Sequence, residues 1–369
     1  MIIKKSLINE FLVVLMALIL ILSQTTLHFI QSLLELTLIF MLAFLLLKRK
    51  LEIWEISLLL VIIITQLMSI LIYNDSLNSF MLNTKVVGIA FLSLMYFKDN
   101  ATISLSMKLF FVVCLSLVLI QYFLWLFNIA DGFPVPIPHS LINNLGLYTS
   151  TQPLGLFLSF HTSAYFLAVY FIGINMTRKL FFIDALIILL MGVRTNFLAL
   201  IGQKFFNIAG NRFYIFKKAS VQITIVIVGV LLLLTVFLPL FFSFLEMFEF
   251  GFGRGNSTKI MSELIVNPNI YLDSLSFLPK HLSQYHETFH YAAGIEDDMY
   301  SGELVMIIIM VLFGAPLGLF FLYFILKITP SYRVFIFLTL FHFSSILNPL
   351  IIYLVFMFEN NARQIKEKY

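Results

Sequence analysis

Charge is what this chain has least of. Only 11% of its residues are Asp, Glu, Lys or Arg, against 61% that are hydrophobic, and the mean hydropathy is +1.01. Soluble domains carry roughly a quarter of their residues charged, so the composition lies far outside the soluble range and points to a polytopic membrane protein. Cysteine is nearly absent: Cys114 stands alone in an apolar run, which leaves no internal disulfide and no cysteine-based metal site. The sequence also lacks an HExxH pattern, an internal repeat, a low-complexity linker and the alternating strands of about ten residues that an outer-membrane barrel requires. The N-terminus, MIIKKSLINEFLVVLMALILIL, has the charged start of a signal peptide without a small-x-small cleavage site, and reads as a retained first span.

What is present is apolar length. Runs long enough to cross a bilayer fall at about 9–27, 30–47, 53–72, 80–97, 109–130, 154–175, 220–245 and 303–326. Two further regions, 180–208 and 334–358, are too long for one span and short for two. Each is expected to form a pair of short or tilted helices, broken at Gly192-Val193-Arg194 and at Asn348-Pro349. The expected fold is an all-α polytopic integral membrane protein of about 12 transmembrane helices, with 11 as the alternative, in a single domain over 1–369.

The 23 Lys and Arg residues test this threading. With both termini cytoplasmic, 18 of them fall on the inner side, as the positive-inside rule asks. The formal charge of +4 therefore records topology and calls for no nucleic-acid partner. Lys85, Arg194, Arg254, Lys259 and Lys280 fall on the outer side, where topology gives no reason for them, and become candidates for chemistry. Two substantial outer loops result, 131–153 and the longer, polar 246–302, between the spans ending near 245 and starting near 303.

Arg194 stands in MGVRTNFLAL between two short apolar stretches, so its guanidinium is either interfacial or buried, and a buried one is costly unless paired or hydrated. Arg254 lies between glycines in GFGRGNS, where a planar fork donor and exposed amides suit a phosphate group; the plain alternative is a solvated loop arginine. His286 and His290 are four residues apart and share a face of any helical turn. Either suits a general base, since imidazole titrates near neutrality. His281 follows Pro279 and Lys280 in what reads as a freer part of the loop. Glu296, Asp297 and Asp298 precede the next span, where acidic residues also suit a helix N-terminus. His161, in QPLGLFLSFHTSAYFLA, is expected two turns inside a span, and Lys85 and Glu35 are likewise expensive in lipid unless they pair or face a wet cavity.

Four pieces together resemble the O-antigen polymerase and ligase family. They are QPLGLFLSFHTSAYFLA (152–168), GVRTNFLAL (192–200), the long outer loop with Arg254 and its histidines, and DDMYSGELVMIIIMVLFGAPLG (297–318). The first is similar to the family's Gly-containing span, the second to its Ser-Arg-Thr segment, and the last to its acidic-to-Gly-x-x-x-Gly span. Val193 stands where Ser is usual, and no His-Asn pair closes the loop; both departures count against the ligase and leave the base open.

The resemblance implies a multi-pass enzyme of the bacterial inner membrane, with 246–302 as its large periplasmic loop. Donor and acceptor would both be undecaprenyl-diphosphate-linked glycans, in the lipid bilayer, with a chain-length regulator protein as a further partner. The implied reaction joins repeat units into O-antigen or capsular polysaccharide by inverting glycosyl transfer without metal or cofactor. Arg194 and Arg254 would take the phosphate charge, His290 or His286 the acceptor proton, and Lys85, His161, Lys259, Lys280, Asp297 and Asp298 would contact substrate. The alternatives are an O-antigen ligase and a lipid-linked glycan transporter or flippase; broken spans and intramembrane charges fit the last as well.

Overall fold

A computed structural model of the chain describes residues 5–23, 31–48, 50–73, 77–100, 105–129, 132–134, 149–150, 152–157, 160–174, 181–229, 272–280, 305–340 and 347–367. The described residues are mostly helical. In chain order the helices are α1 (Lys5–Ser23), α2 (Gln31–Lys48), α3 (Ile53–Tyr73), α4 (Leu77–Asn100), α5 (Leu105–Leu126), α6 (Phe160–Ile174), α7 (Phe181–Leu190), α8 (Arg194–Arg212), α9 (Ala219–Gly229), α10 (Val305–Phe313), α11 (Ala315–Ile328), α12 (Arg333–Thr339) and α13 (Pro349–Glu367). Between α5 and α6 two-residue strands, β1 (Phe133–Pro134) and β2 (Thr149–Ser150), pair antiparallel and clip together the ends of the 131–153 segment.

The chain divides into two compact units, the first comprising Met1–Leu51, Ile89–Lys204 and Ser345–Tyr369, the second Glu52–Gly88 and Phe205–Ser344. In the first, α13 packs against α6 and α1, and α5 against α6 and α1. Residues 162–169 of α6 and 349–359 of α13 are buried without interruption. A helix that is apolar all round is a core helix, and these two form the centre of the unit. Phe97 meets the Tyr353 ring edge-on at 4.7 Å, and Asn360 Nδ2 donates to the Lys98 carbonyl at 3.1 Å. α13 starts where it does because Asn348 Oδ1 accepts the Leu350 N–H at 3.0 Å, an N-cap, with Pro349 at the first helical position, where its missing N–H costs nothing.

In the second unit α10 and α11 pack against each other, with Phe313 stacked on Phe321 at 5.1 Å. Glu55, in the first turn of α3, accepts the Glu52 N–H at 3.0 Å, the N3-to-N-cap bond found in a capping box. The polarity of α3 is inverted relative to a soluble helix: Thr65, Gln66 and Ser69 are buried, while Leu60, Ile64, Leu67 and Leu71 are exposed. Ile53–Tyr73 and Met107–Leu126 are, among the described residues, the helices long and apolar enough to cross a membrane. At 1.5 Å per residue the 21 residues of α3 cover about 31 Å, the thickness of a hydrocarbon core.

Several boundaries differ from expectation. The expected single span 303–326 is two helices, because Gly314 takes φ 77 and ψ 152 and Pro316 follows at the start of α11. The expected span 154–175 begins as helix only at Phe160; Pro153 and Gly155, at φ 59, hold 152–157 in a turn. His161 is consequently in the first turn of α6 and not two turns inside a span. The expected break at Gly192-Val193-Arg194 is where α7 ends and α8 begins, and at Asn348-Pro349 α13 begins, while α12 already ends at Thr339. The second helix of the last pair runs on to Glu367, past 358.

Candidate functional site

The candidate site occupies one end of the first unit, where α5, the 152–157 turn, α6 and the α7–α8 junction converge. α7 closes with Gly192 N–H donating to Leu189 O at 3.0 Å, and Gly192 then adopts φ 76, a left-handed conformation that suits glycine. A Cβ at Gly192 would sit 2.5 Å from Gln152 Nε2, so the side chain of Gln152 lies directly on this backbone. The Tyr122 hydroxyl of α5 donates to Leu190 O and ties α5 to the end of α7. On the other side of the turn, Gly155 N–H donates to Gln121 Oε1 at 2.9 Å and the Ser163 hydroxyl donates to Leu154 O.

α8 starts immediately after the junction, with Phe197 N–H donating to Val193 O at 3.2 Å. The N–H groups of Arg194, Thr195 and Asn196 therefore have no acceptor within the helix, and the helix dipole puts partial positive charge there. Asn196 has no exposed surface, and neither its carboxamide oxygen nor its nitrogen has a hydrogen bond. Leaving a buried polar group unsatisfied costs about 1–3 kcal/mol, and such a group in a native structure calls for an explanation. Further along the hairpin, Asp184 of α7 and Lys204 of α8 are both buried and close enough for each charge to act on the other.

Of the residues singled out by sequence, Arg194 is the first residue of α8 and His161 the second of α6, both at this end of the first unit. His161 is half-buried beside the buried Thr162 and Ser163. Lys85 lies in α4, in the other unit. Lys280 also belongs to the second unit, and its charge is engaged: Nζ is 2.9 Å from Asp273 Oδ1 and 4.3 Å from the centre of the Tyr73 ring. Arg254, Lys259, His281, His286, His290, Glu296, Asp297 and Asp298 lie outside the described residues. Among the described residues no cluster of three or more His, Cys, Asp or Glu could hold a metal ion.

Comparison with known proteins gave no match: no family model fits the chain, and no curated protein or solved structure matches it. The likeness to polymerases and ligases thus rests on the short segments that carry it.

Sequence reasoning followed charge and so passed over Gln121, Gln152 and Asn196. A readable signal was there, since each is a carboxamide in or beside a strongly apolar run. Neutral amides are cheaper than charges in such a setting but still need partners.

Proposed function

We propose that this protein is a membrane glycosyltransferase that joins undecaprenyl-diphosphate-linked repeat units into O-antigen or capsular polysaccharide at the outer face of the bacterial cytoplasmic membrane. The observation that carries the reading is the α7–α8 junction, where Arg194 begins a helix beside a wholly buried, unbonded Asn196, in a chain with little other charge. A helix N-terminus headed by an arginine suits the diphosphate of a lipid-linked donor.

The inverted polarity of α3 supports a bilayer setting, because apolar side chains facing outward and polar ones inward is favourable only in lipid. The distribution of charge in the second unit supports the orientation. Arg333 Nη1 reaches Lys217 O at 3.5 Å, and the Lys327 ammonium lies over Tyr323, one turn from the Phe324 ring that meets Trp54 at the start of α3. These basic residues gather where α3 begins, while Lys280 sits where it ends. That is the asymmetry of a helix that starts inside.

In the proposed reaction the acceptor hydroxyl oxygen forms a bond to the anomeric carbon as the bond from that carbon to the phosphate oxygen breaks. The hydroxyl proton passes to His290 or His286 and the electron pair leaves with the diphosphate. Arg194 and Arg254 bear the developing negative charge, and single displacement inverts the anomeric centre. The decisive experiment replaces each arginine by lysine, which keeps the charge and removes the fork. Both Arg194→Lys and Arg254→Lys are expected to lower the polymerisation rate by about a hundredfold or more at normal protein levels. Full activity in either variant removes that arginine from the site.

A further inference from the structure

We infer that residues Asp273–Lys280 anchor the outer loop by docking into the interruption between α10 and α11, with Ser69 of α3 as the positioning residue that holds them there and Gln66 as the one that braces the interruption itself. The functional half of this inference rests on the polymerase reading; the docking does not.

The interruption at Gly314 exposes backbone groups that α10 and α11 cannot satisfy themselves. The docked segment and α3 supply partners. Lys280 N–H donates to Val311 O at 2.8 Å, Gln66 Nε2 donates to Leu312 O at 2.9 Å, and Ala315 N–H donates to Ser276 O at 2.8 Å. The Ser69 hydroxyl then donates to Pro279 O at 2.6 Å, and the Tyr73 and Ser276 hydroxyls lie 3.3 Å apart. Lys280 is locked from its side chain as well, between Asp273 and the Tyr73 ring.

Ser69, which bonds Pro279 O, is four residues before the end of α3, about 6 Å along its axis, so the segment reaches below the helix end. Irregular backbone at such depth is tolerated when protein satisfies it, and here α3, α10 and α11 do so. The consequence for the loop follows from chain length. His286 and His290 are six and ten residues beyond Lys280, hence no farther than about 20 and 35 Å from a fixed point. Releasing that point removes this limit on the histidines proposed as base.

The test uses purified full-length protein in detergent, where both faces are open to trypsin, and follows cleavage at the Lys280–His281 bond by fragment mass. Wild type is expected to resist there. Gln66→Leu combined with Ser69→Ala, apolar substitutions in an apolar helix, should raise that cleavage about five- to thirtyfold. Cleavage at the buried Arg333, in the same unit, should be unchanged, which marks the opening as local. Ser69→Thr keeps the hydroxyl and should stay protected. In the same preparations the double variant should polymerise roughly ten- to a hundredfold more slowly at saturating donor, with half-saturation little moved and with the Ser69→Thr rate near wild type. Equal cleavage at Lys280 in wild type and double variant overturns the anchor, as does a double variant that is readily cut yet polymerises normally. A wild-type protein without polymerising activity refutes the enzymatic reading instead, and the Lys280 comparison then decides the anchor alone.

Discussion

Gly314→Ala isolates the geometry on which the second unit depends. Gly314 sits at φ 77 and ψ 152, a region populated essentially by glycine, and placing a side chain there costs about 1–3 kcal/mol. The new Cβ would also run into the Phe277 carbonyl oxygen, with Phe277 C at 3.2 Å and Leu278 C at 3.3 Å. Those atoms are backbone, so the docked segment must retreat as a whole. Retreat breaks the hydrogen bonds from Lys280 to Val311 and from Ala315 to Ser276, at about 1 kcal/mol each.

The sum is about 3–5 kcal/mol. At an unfolding entropy of roughly 2 cal/mol/K per residue, this lowers the midpoint by about 4–7 °C in a chain of 369 residues. The assay is loss of the monodisperse detergent-solubilised protein after stepwise heating, read by size exclusion. Gly88→Ala serves as the control: it is helical, no atom lies within 4 Å of its would-be Cβ, and alanine is the better helix former by up to about 1 kcal/mol. Gly88→Ala should melt at or above wild type and Gly314→Ala clearly below. A Gly314→Ala protein that melts with wild type refutes the docking of residues 277–278 against the helix interruption.

Two other measurements bear on the reading. Cys114 is buried, so single introduced cysteines can be labelled against a low background; Leu272→Cys should react with an impermeant maleimide from outside the cytoplasmic membrane, and Tyr214→Cys only after lysis, the reverse pattern overturning the topology. Because the phosphate charge is assigned to arginines, polymerisation by purified protein should survive a strong chelator; loss that a divalent ion restores would place a metal at the site.

The helical frame was largely legible because long apolar runs leave a distinctive mark, and α3 and α4 fall within a few residues of the expected runs. Interruptions were legible where a breaker sat beside a charge or a polar residue, as at Gly192-Val193-Arg194 and Asn348-Pro349. Gly314 was missed because the residues on both sides are uniformly apolar, and hydropathy does not register a change of backbone hand. The charge-led search found Arg194 and Lys280, yet passed over the neutral groups of the same regions: Asn196 and Gln152 at the α7–α8 junction, Gln66 and Ser69 beside the Gly314 interruption. Their roles depend on partners far away in sequence, such as Gln66 with Leu312, 246 residues on. Local pattern cannot supply that. Pro279 and Lys280, read as part of a free loop, are pinned for the same reason.

The two glycine interruptions divide the labour between sites. Gly192 and Gly314 have nearly the same φ, 76 and 77, and each separates a short helix from a longer one. Around Gly314 the exposed carbonyls of Val311 and Leu312 and the N–H of Ala315 are all taken by protein groups. A transporter built on a discontinuous helix would instead present such groups to its cargo, so this break is suited to bearing load and ill suited to binding. At Gly192 the balance differs: the first-turn N–H groups of α8 have no acceptor within the helix, Arg194 heads it, and Asn196 is buried with nothing bonded to either end of its amide. An unsatisfied amide is a standing cost that a bound ligand or a local rearrangement can relieve, whereas a sealed break has no such reserve. The proposed function therefore assigns substrate to the α7–α8 junction, and leaves the interruption at Gly314 as scaffold for residues 273–280.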